Sequence, residues 1–143
     1  MGYSFGVLKP DCLERGLETQ IFSILKLSGL EVITAKRKRL SILEAEFLYD
    51  RCRKNNFFLD LISFMTSGDV LLYVVTGDGE TIESLNKTIG HTNPKLAESG
   101  TVRSLGESVC RNLSHSTASE HTFQREVSYF LTRQERESIG LAF

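Results

Sequence analysis

Within Cys110-Arg111-Asn112-Leu113-Ser114-His115, a histidine follows an arginine and an asparagine and leads into the small polar run Ser116-Thr117-Ala118-Ser119. That combination suits anion handling. A neutral imidazole can attack phosphorus and form a covalent phosphohistidine. Arginine suits the phosphate oxygens, because its planar fork donates two parallel hydrogen bonds. No cysteine or carboxylate stands at metal-ligand spacing from His115 or His121, so no metal site is expected from this stretch. A lone histidine is more often structural than reactive, so the elements that would position it must decide.

The chain has 143 residues, which reads as one domain over 1–143, large enough to bury a core without staples. With 17 basic and 18 acidic residues there is no global field, and neither nucleic acid nor an anionic membrane is an expected partner. The apolar runs fall short of a membrane span, and the N-terminus has no charged segment leading into an apolar one. Gly6 stands where a myristoylation pattern wants Ser or Thr. Cys12, Cys52 and Cys110 are odd in number and widely spaced, against both a disulfide framework and a zinc site. The expectation is a soluble, cytoplasmic protein.

Tyr3 to Leu8 reads as a buried strand, and Pro10 then leaves Lys9 at its end on the rim of a sheet. Arg15-Gly16 turns the chain into a helix with apolar Leu17, Ile21, Ile24, Leu25 and Leu27. Leu30 to Leu40 is a second strand, whose run Lys36-Arg37-Lys38-Arg39 is read as solvated because period two sends its charges to opposite faces. Ser41 and Glu44 have capping-box spacing and predict a helix to about Lys54. Phe57 to Gly68 is another helix, Val70 to Val75 the most strand-like run, and Glu80 to Ile89 a further helix. Gly90 to Asn112 shows no period, and irregular stretches of that length are usually functional or disordered. A helix over about Ser119 to Glu126, a strand over Val127 to Leu131 and a capped turn at Thr132–Glu135 finish the chain. The order fits an α+β fold of the ferredoxin-like, split βαβ kind, an antiparallel sheet covered by helices.

Lys9-Pro10-Asp11, Glu14-Arg15-Gly16, Tyr49, Phe57-Phe58, Thr92-Asn93-Pro94, Gly100-Thr101-Val102-Arg103, Arg111-Asn112-x-x-His115 and Glu126 together resemble nucleoside diphosphate kinase, in order and in nearly all spacings. The resemblance runs from about residue 3 to 131 and implies an enzyme. It would move the γ-phosphate of a nucleoside triphosphate to a nucleoside diphosphate through a phosphohistidine at His115. It also implies Mg2+ carried on the nucleotide phosphates and a homo-oligomer, a hexamer or tetramer. By this resemblance Glu126 fixes the ring of His115, and Lys9 and Tyr49 face the transferring group. Thr92 and Arg103 would hold the phosphates, Asn112 the sugar hydroxyls, and Phe57 would stack on the base.

Some positions depart from the family pattern. Asn86, in the nucleotide-binding set, replaces an arginine that contacts the terminal phosphate, and Asn55 replaces a second arginine. Ser116 and Ala118 replace a glycine and an acid, and the segment from Arg103 to Arg111 is one residue shorter. From the sequence alone, restoring arginine at position 86 should raise kcat/KM by about tenfold or more. Two alternatives stay open, a kinase of this fold specialised for one modified nucleotide or pathway acceptor, and a catalytically weak nucleotide-binding scaffold.

Overall fold

The computed structural model describes residues 2–143. Four strands, β1 (Gly2–Leu8), β2 (Glu31–Arg39), β3 (Asp69–Gly77) and β4 (Ser114–Ser116), form one sheet in the order β2-β3-β1-β4. Every neighbouring pair is antiparallel. This is the ferredoxin-like layout expected from the sequence. The helices are α1 (Pro10–Glu14), α2 (Glu18–Leu27), α3 (Ile42–Leu48), α4 (Phe58–Met65), α5 (Thr81–Ile89), α6 (Glu120–Phe130) and α7 (Arg133–Ser138).

β1 lies inside the sheet, so both of its faces must be apolar. Phe5 and Val7, with Leu72 and Val74 of β3, pack in one core with residues of α3, α4 and α6. Leu8, Tyr73 and Val75 pack in a second core with Ile21 and Leu25 of α2 and Leu85 and Ile89 of α5. Each fully buried side chain of this kind stabilises the fold by roughly 1.5–3 kcal/mol. Gly6 pairs with Tyr73, and a Cβ at Gly6 would come 2.2 Å from that ring, so the close approach requires glycine. On β2, Lys36 and Lys38 reach Glu135 and Glu44, whereas Arg37 and Arg39 reach Asp69 and the Thr66 carbonyl. The basic run is therefore divided between the two faces, as its period requires.

Several expectations need correction. The stretch before Arg15-Gly16 is not a plain strand exit but a short helix begun by Pro10, whose fixed φ suits the first helical position. The capping box at Ser41 and Glu44 is present, but α3 stops at Leu48 and tightens into a 3-10 turn over Asp50–Cys52. Val127 to Leu131 is not a strand. Ser119 caps α6 through the Thr122 N–H, and Phe123, Val127 and Phe130 bury one helical face, so helix period prevails over the aromatic content. The fourth strand is instead Ser114–Ser116, whose small polar residues carry no strand signal and which forms only by pairing with β1.

Candidate active site

β1 and β4 position Lys9, which directly follows β1, and His115, which lies in β4. Val7 pairs with His115 and Leu8 with Ser114, and the Lys9 N–H donates to the Leu113 carbonyl at 2.9 Å. Lys9 and His115 thus leave adjacent strands at the same end of the sheet. Before His115 the backbone makes a tight reversal. The Ser114 N–H donates to the Asn112 carbonyl at 3.0 Å, and Leu113 has a φ of 78°. Such a conformation costs a residue with a Cβ roughly 1–2 kcal/mol. Leu113 is fully buried, and its N–H is held by the Asp11 carboxylate at 3.2 Å, so packing and this bond hold the turn.

A cavity of about 310 Å³ opens beside this turn. Lys9, Tyr49, Phe57, Thr92, Arg103, Asn112, His115 and Glu126 all line it, which brings together all but one of the residues given a catalytic or nucleotide-binding role by the resemblance, while Arg111 of the opening motif lies outside it, over the Phe64 ring at 4.8 Å. The exception is Asn86. It lies on α5 outside the lining, accepting from Ser116 Oγ at 2.6 Å and donating from Nδ2 to the Thr117 carbonyl at 3.0 Å. Its amide ties α5 to the strand that carries His115.

His115 Nε2 lies 3.0 Å from Glu126 Oε2 and 3.3 Å from Oε1. An ionised carboxylate only accepts, so Nε2 carries the proton and Nδ1 keeps its lone pair. Nδ1 has no hydrogen-bond partner among the described residues, and it is the atom available for attack. Thr117 Oγ1 donates to Glu126 Oε1 at 2.6 Å, which occupies the other carboxylate oxygen. Burial alone would raise the Glu126 carboxyl. The facing His115, its hydrogen bond and the Thr117 hydroxyl outweigh burial and hold the group below its ordinary range. Tyr49 packs its ring edge-on to His115, centroids 5.6 Å apart, and its phenol is pushed up by burial and stays protonated.

Lys9 is almost wholly buried, and its Nζ donates to the Cys110 carbonyl at 3.2 Å. Burial, with Arg103 nearby, lowers its ammonium to about 7, against a partial offset from Asp11. Arg103 is anchored by three bonds, from Nε and Nη2 to the Ser114 carbonyl and from Nη1 to the Gly90 carbonyl. Asn112 donates to the carbonyls of Thr92 and Val109, both at 2.9 Å, while its buried Oδ1 has no partner. Gly106 allows this loop to close, since a Cβ there would meet the Asn112 Cα at 2.9 Å.

Sequence reasoning did not find Arg51, Cys52, Val109, Thr122 and Arg125, which also line the cavity together with Ala118, noted above as a departure from the family pattern. Arg51 and Cys52 sit on the 3-10 turn that replaces the expected end of α3, and no spacing rule exposes them. An imidazole with one nitrogen tied to a carboxylate and the other free, in a cavity bounded by a lysine and an arginine, can take up a phosphoryl group.

The family model for nucleoside diphosphate kinase matches residues 3–136. The nucleoside diphosphate kinase of Rickettsia felis is 41% identical over 135 residues, covering 93% of this chain and 95% of its own. That of Rickettsia prowazekii is 40% identical over the same shares. Among solved structures, the nucleoside diphosphate kinase of Halobacterium salinarum, in complex with CDP, superposes with a TM-score of 0.88 at 30% identity. It corresponds to 94% of this chain and 90% of its own. The Aquifex aeolicus enzyme superposes with a TM-score of 0.87 at 26% identity, over 93% of this chain and 96% of its own. Little of the chain lies outside these correspondences, and the strands that bring Lys9 beside His115 lie within them: the chain belongs to the nucleoside diphosphate kinase family.

Proposed function

We propose that this protein transfers the γ-phosphate of a nucleoside triphosphate to a nucleoside diphosphate through a phosphohistidine on His115. The observation that carries this reading is the His115–Glu126 pair, which presents a free Nδ1 inside a cavity that Lys9 and Arg103 make positive. The Nδ1 lone pair forms a bond to the γ-phosphorus as the bond to the β,γ-bridging oxygen breaks, and the diphosphate leaves. The ring then carries a positive charge with Nε2 still protonated, and the Glu126 carboxylate faces that charge. In the second half, a terminal oxygen of the acceptor diphosphate attacks the phosphohistidine and returns the ring to its neutral form.

Charge spreads over the equatorial oxygens during each transfer, and Lys9 and Arg103 supply donors for them; the Tyr49 hydroxyl, which donates to Met65 Sδ at 3.8 Å in the free protein, joins them by turning toward the nucleotide. Phe57, 37% exposed at the cavity wall, gives the base a stacking surface that discriminates little between bases. The unpartnered Asn112 Oδ1 is an acceptor for a sugar hydroxyl. Thr92 supplies a hydroxyl for the phosphates. Among the described residues no group of three or more His, Cys, Asp or Glu is placed to hold a metal ion. Mg2+ carried on the nucleotide phosphates is part of this reading through the family resemblance.

The reading extends to a single 143-residue domain assembled as a homo-oligomer of four or six copies. Three free cysteines support a reducing, cytoplasmic location. No helix among the described residues is long and apolar enough to cross a membrane.

The test is to incubate the protein with γ-labelled nucleoside triphosphate. Wild type should acquire acid-labile, base-stable label and pass it to added diphosphates with parallel double-reciprocal lines, and His115→Ala should acquire none. Label on His115→Ala, or on serine, would overturn the mechanism. A scan of acceptor bases in which one alone is active would replace general exchange by the specialised kinase.

A further inference from the structure

Arg51 is a cation of the cavity wall that nothing in the preceding reading uses. It follows Tyr49 by two residues on the 3-10 turn Asp50–Cys52, and its Nη2 donates to Thr122 Oγ1 at 2.8 Å. Thr122 lies four residues before Glu126 on α6, on the same helical face. The guanidinium is thereby pinned to the helix that carries Glu126. Its charge contributes to holding the Glu126 carboxylate ionised.

No carboxylate lies within ion-pair distance of Arg51 among the described residues. Two residues on, Arg53 is paired with Asp50 and Glu46. One of the five N–H donors of Arg51 has a partner, which leaves a fork free for an anion. The other cations are less available. Lys9, with its ammonium lowered to about 7, is only partly charged near neutrality. Arg103 is bound to two carbonyl groups, and Arg125 lies over the Phe47 ring, 4.1 Å from its centroid.

We propose that Arg51 is a phosphate-binding residue of the transfer reaction, clamping the oxygens of the terminal phosphoryl group of the bound nucleotide beside His115. The proposal rests on the nucleotide-kinase reading of the site. It places the permanent positive charge on the turn after Tyr49, whereas α5 offers the neutral Asn86, already bonded to β4.

The test compares wild type, Arg51→Ala and Arg51→Gln for binding of a nucleoside and of its diphosphate, and for the rate of phosphohistidine formation from the triphosphate. Losing one charge-assisted bond to phosphate should weaken diphosphate binding and slow labelling by roughly 10- to 150-fold. Nucleoside affinity should stay unchanged, and added guanidinium ion should restore part of the Arg51→Ala rate. Equal losses for nucleoside and diphosphate would assign Arg51 to packing, and no loss would remove it from the site. Either result overturns the clamp. Arg51→Gln keeps an N–H for Thr122, so the comparison stands if Arg51→Ala fails to fold. Should wild type take no label on His115, the kinase reading fails while the nucleoside–diphosphate comparison still decides whether Arg51 binds phosphate.

Discussion

Ser116 and Asn86, 30 positions apart, are joined by a 2.6 Å hydrogen bond, and Asn86 returns a second bond to the carbonyl of Thr117. One amide thus holds two successive residues of the segment that follows the nucleophile. The outcome expected from sequence alone is thereby reversed. Asn86→Arg loses both bonds and sets a charge against β4, so kcat/KM should fall, by about tenfold, instead of rising. Asn86→Ala should cost about 1–3 kcal/mol of stability, the net worth of two neutral hydrogen bonds. Steady-state kinetics and denaturant titration measure the two effects, and a faster Asn86→Arg enzyme would show that the amide pair is dispensable.

Thr117→Val should shift the acid side of the pH profile. The Thr117 hydroxyl is one of the groups holding the Glu126 carboxyl low, so removing it moves that carboxyl upward. A depressed carboxyl stabilises the fold above its unfolded value, and that stability is lost as pH falls through the folded value. Acid unfolding of the variant should therefore begin at higher pH than in wild type, and kcat should drop several-fold, about what a hydrogen bond of roughly 1 kcal/mol implies. Identical acid transitions would separate Thr117 from the His115–Glu126 pair.

Lys9 predicts a proton signal on binding. Its ammonium sits at about 7 in the free protein, and nucleotide phosphates raise it again. Nucleotide binding near pH 8 should therefore draw up to one proton from solution, visible as a binding heat that varies with the ionisation enthalpy of the buffer. Lys9→Met should abolish that dependence. For stability the sign is opposite to the usual ion-pair case. The folded protein binds fewer protons than the unfolded one between about 7 and the ordinary lysine value, so this residue makes stability rise with pH across that window. Lys9→Met should stabilise most below pH 7, where the buried charge is fully present.

Leu113→Gly sets strain against packing. Glycine relieves roughly 1–2 kcal/mol of backbone cost at a φ of 78°, while deleting a buried leucine side chain costs about 2–5 kcal/mol. Packing should win, and thermal unfolding should show a net loss. A more stable variant would mean that the reversal before His115 is strained beyond the usual range.

Lys9 and His115 could be singled out because a strand exit and a polar, arginine-bearing run suit anion chemistry, whereas Glu126 carries no local signal and entered only through the family resemblance; all three line one cavity. The strands Tyr3 to Leu8 and Val70 to Val75 were legible from their apolar, β-branched runs, but the order of strands in the sheet was not, because β4 forms only by pairing with β1. Asn86 was misjudged because its partners, Ser116 and Thr117, come from another element, and no local pattern announces a contact across 30 positions. Arg51 escaped because the turn carrying it replaces a helix that the capping box of Ser41 and Glu44 starts but does not terminate. The strand expected at Val127 failed where aromatic content and helical spacing compete, and the N-cap at Ser119 decides between them.

The pairing of β1 with β4 also governs when the site comes into being. Lys9 and the Cys110 carbonyl it bonds are 101 positions apart, and the contact between them closes most of the chain into a loop. Local helices and the β2–β3 pair can form early, but this closure has to wait, because its entropic cost precedes any contact that rewards it. On a ribosome the first strand emerges long before the last one, and it remains without its neighbour on that side until the segment through Ser116 is free. A nascent chain therefore has no His115 beside Lys9 until the segment through Ser116 has left the ribosome and paired with β1.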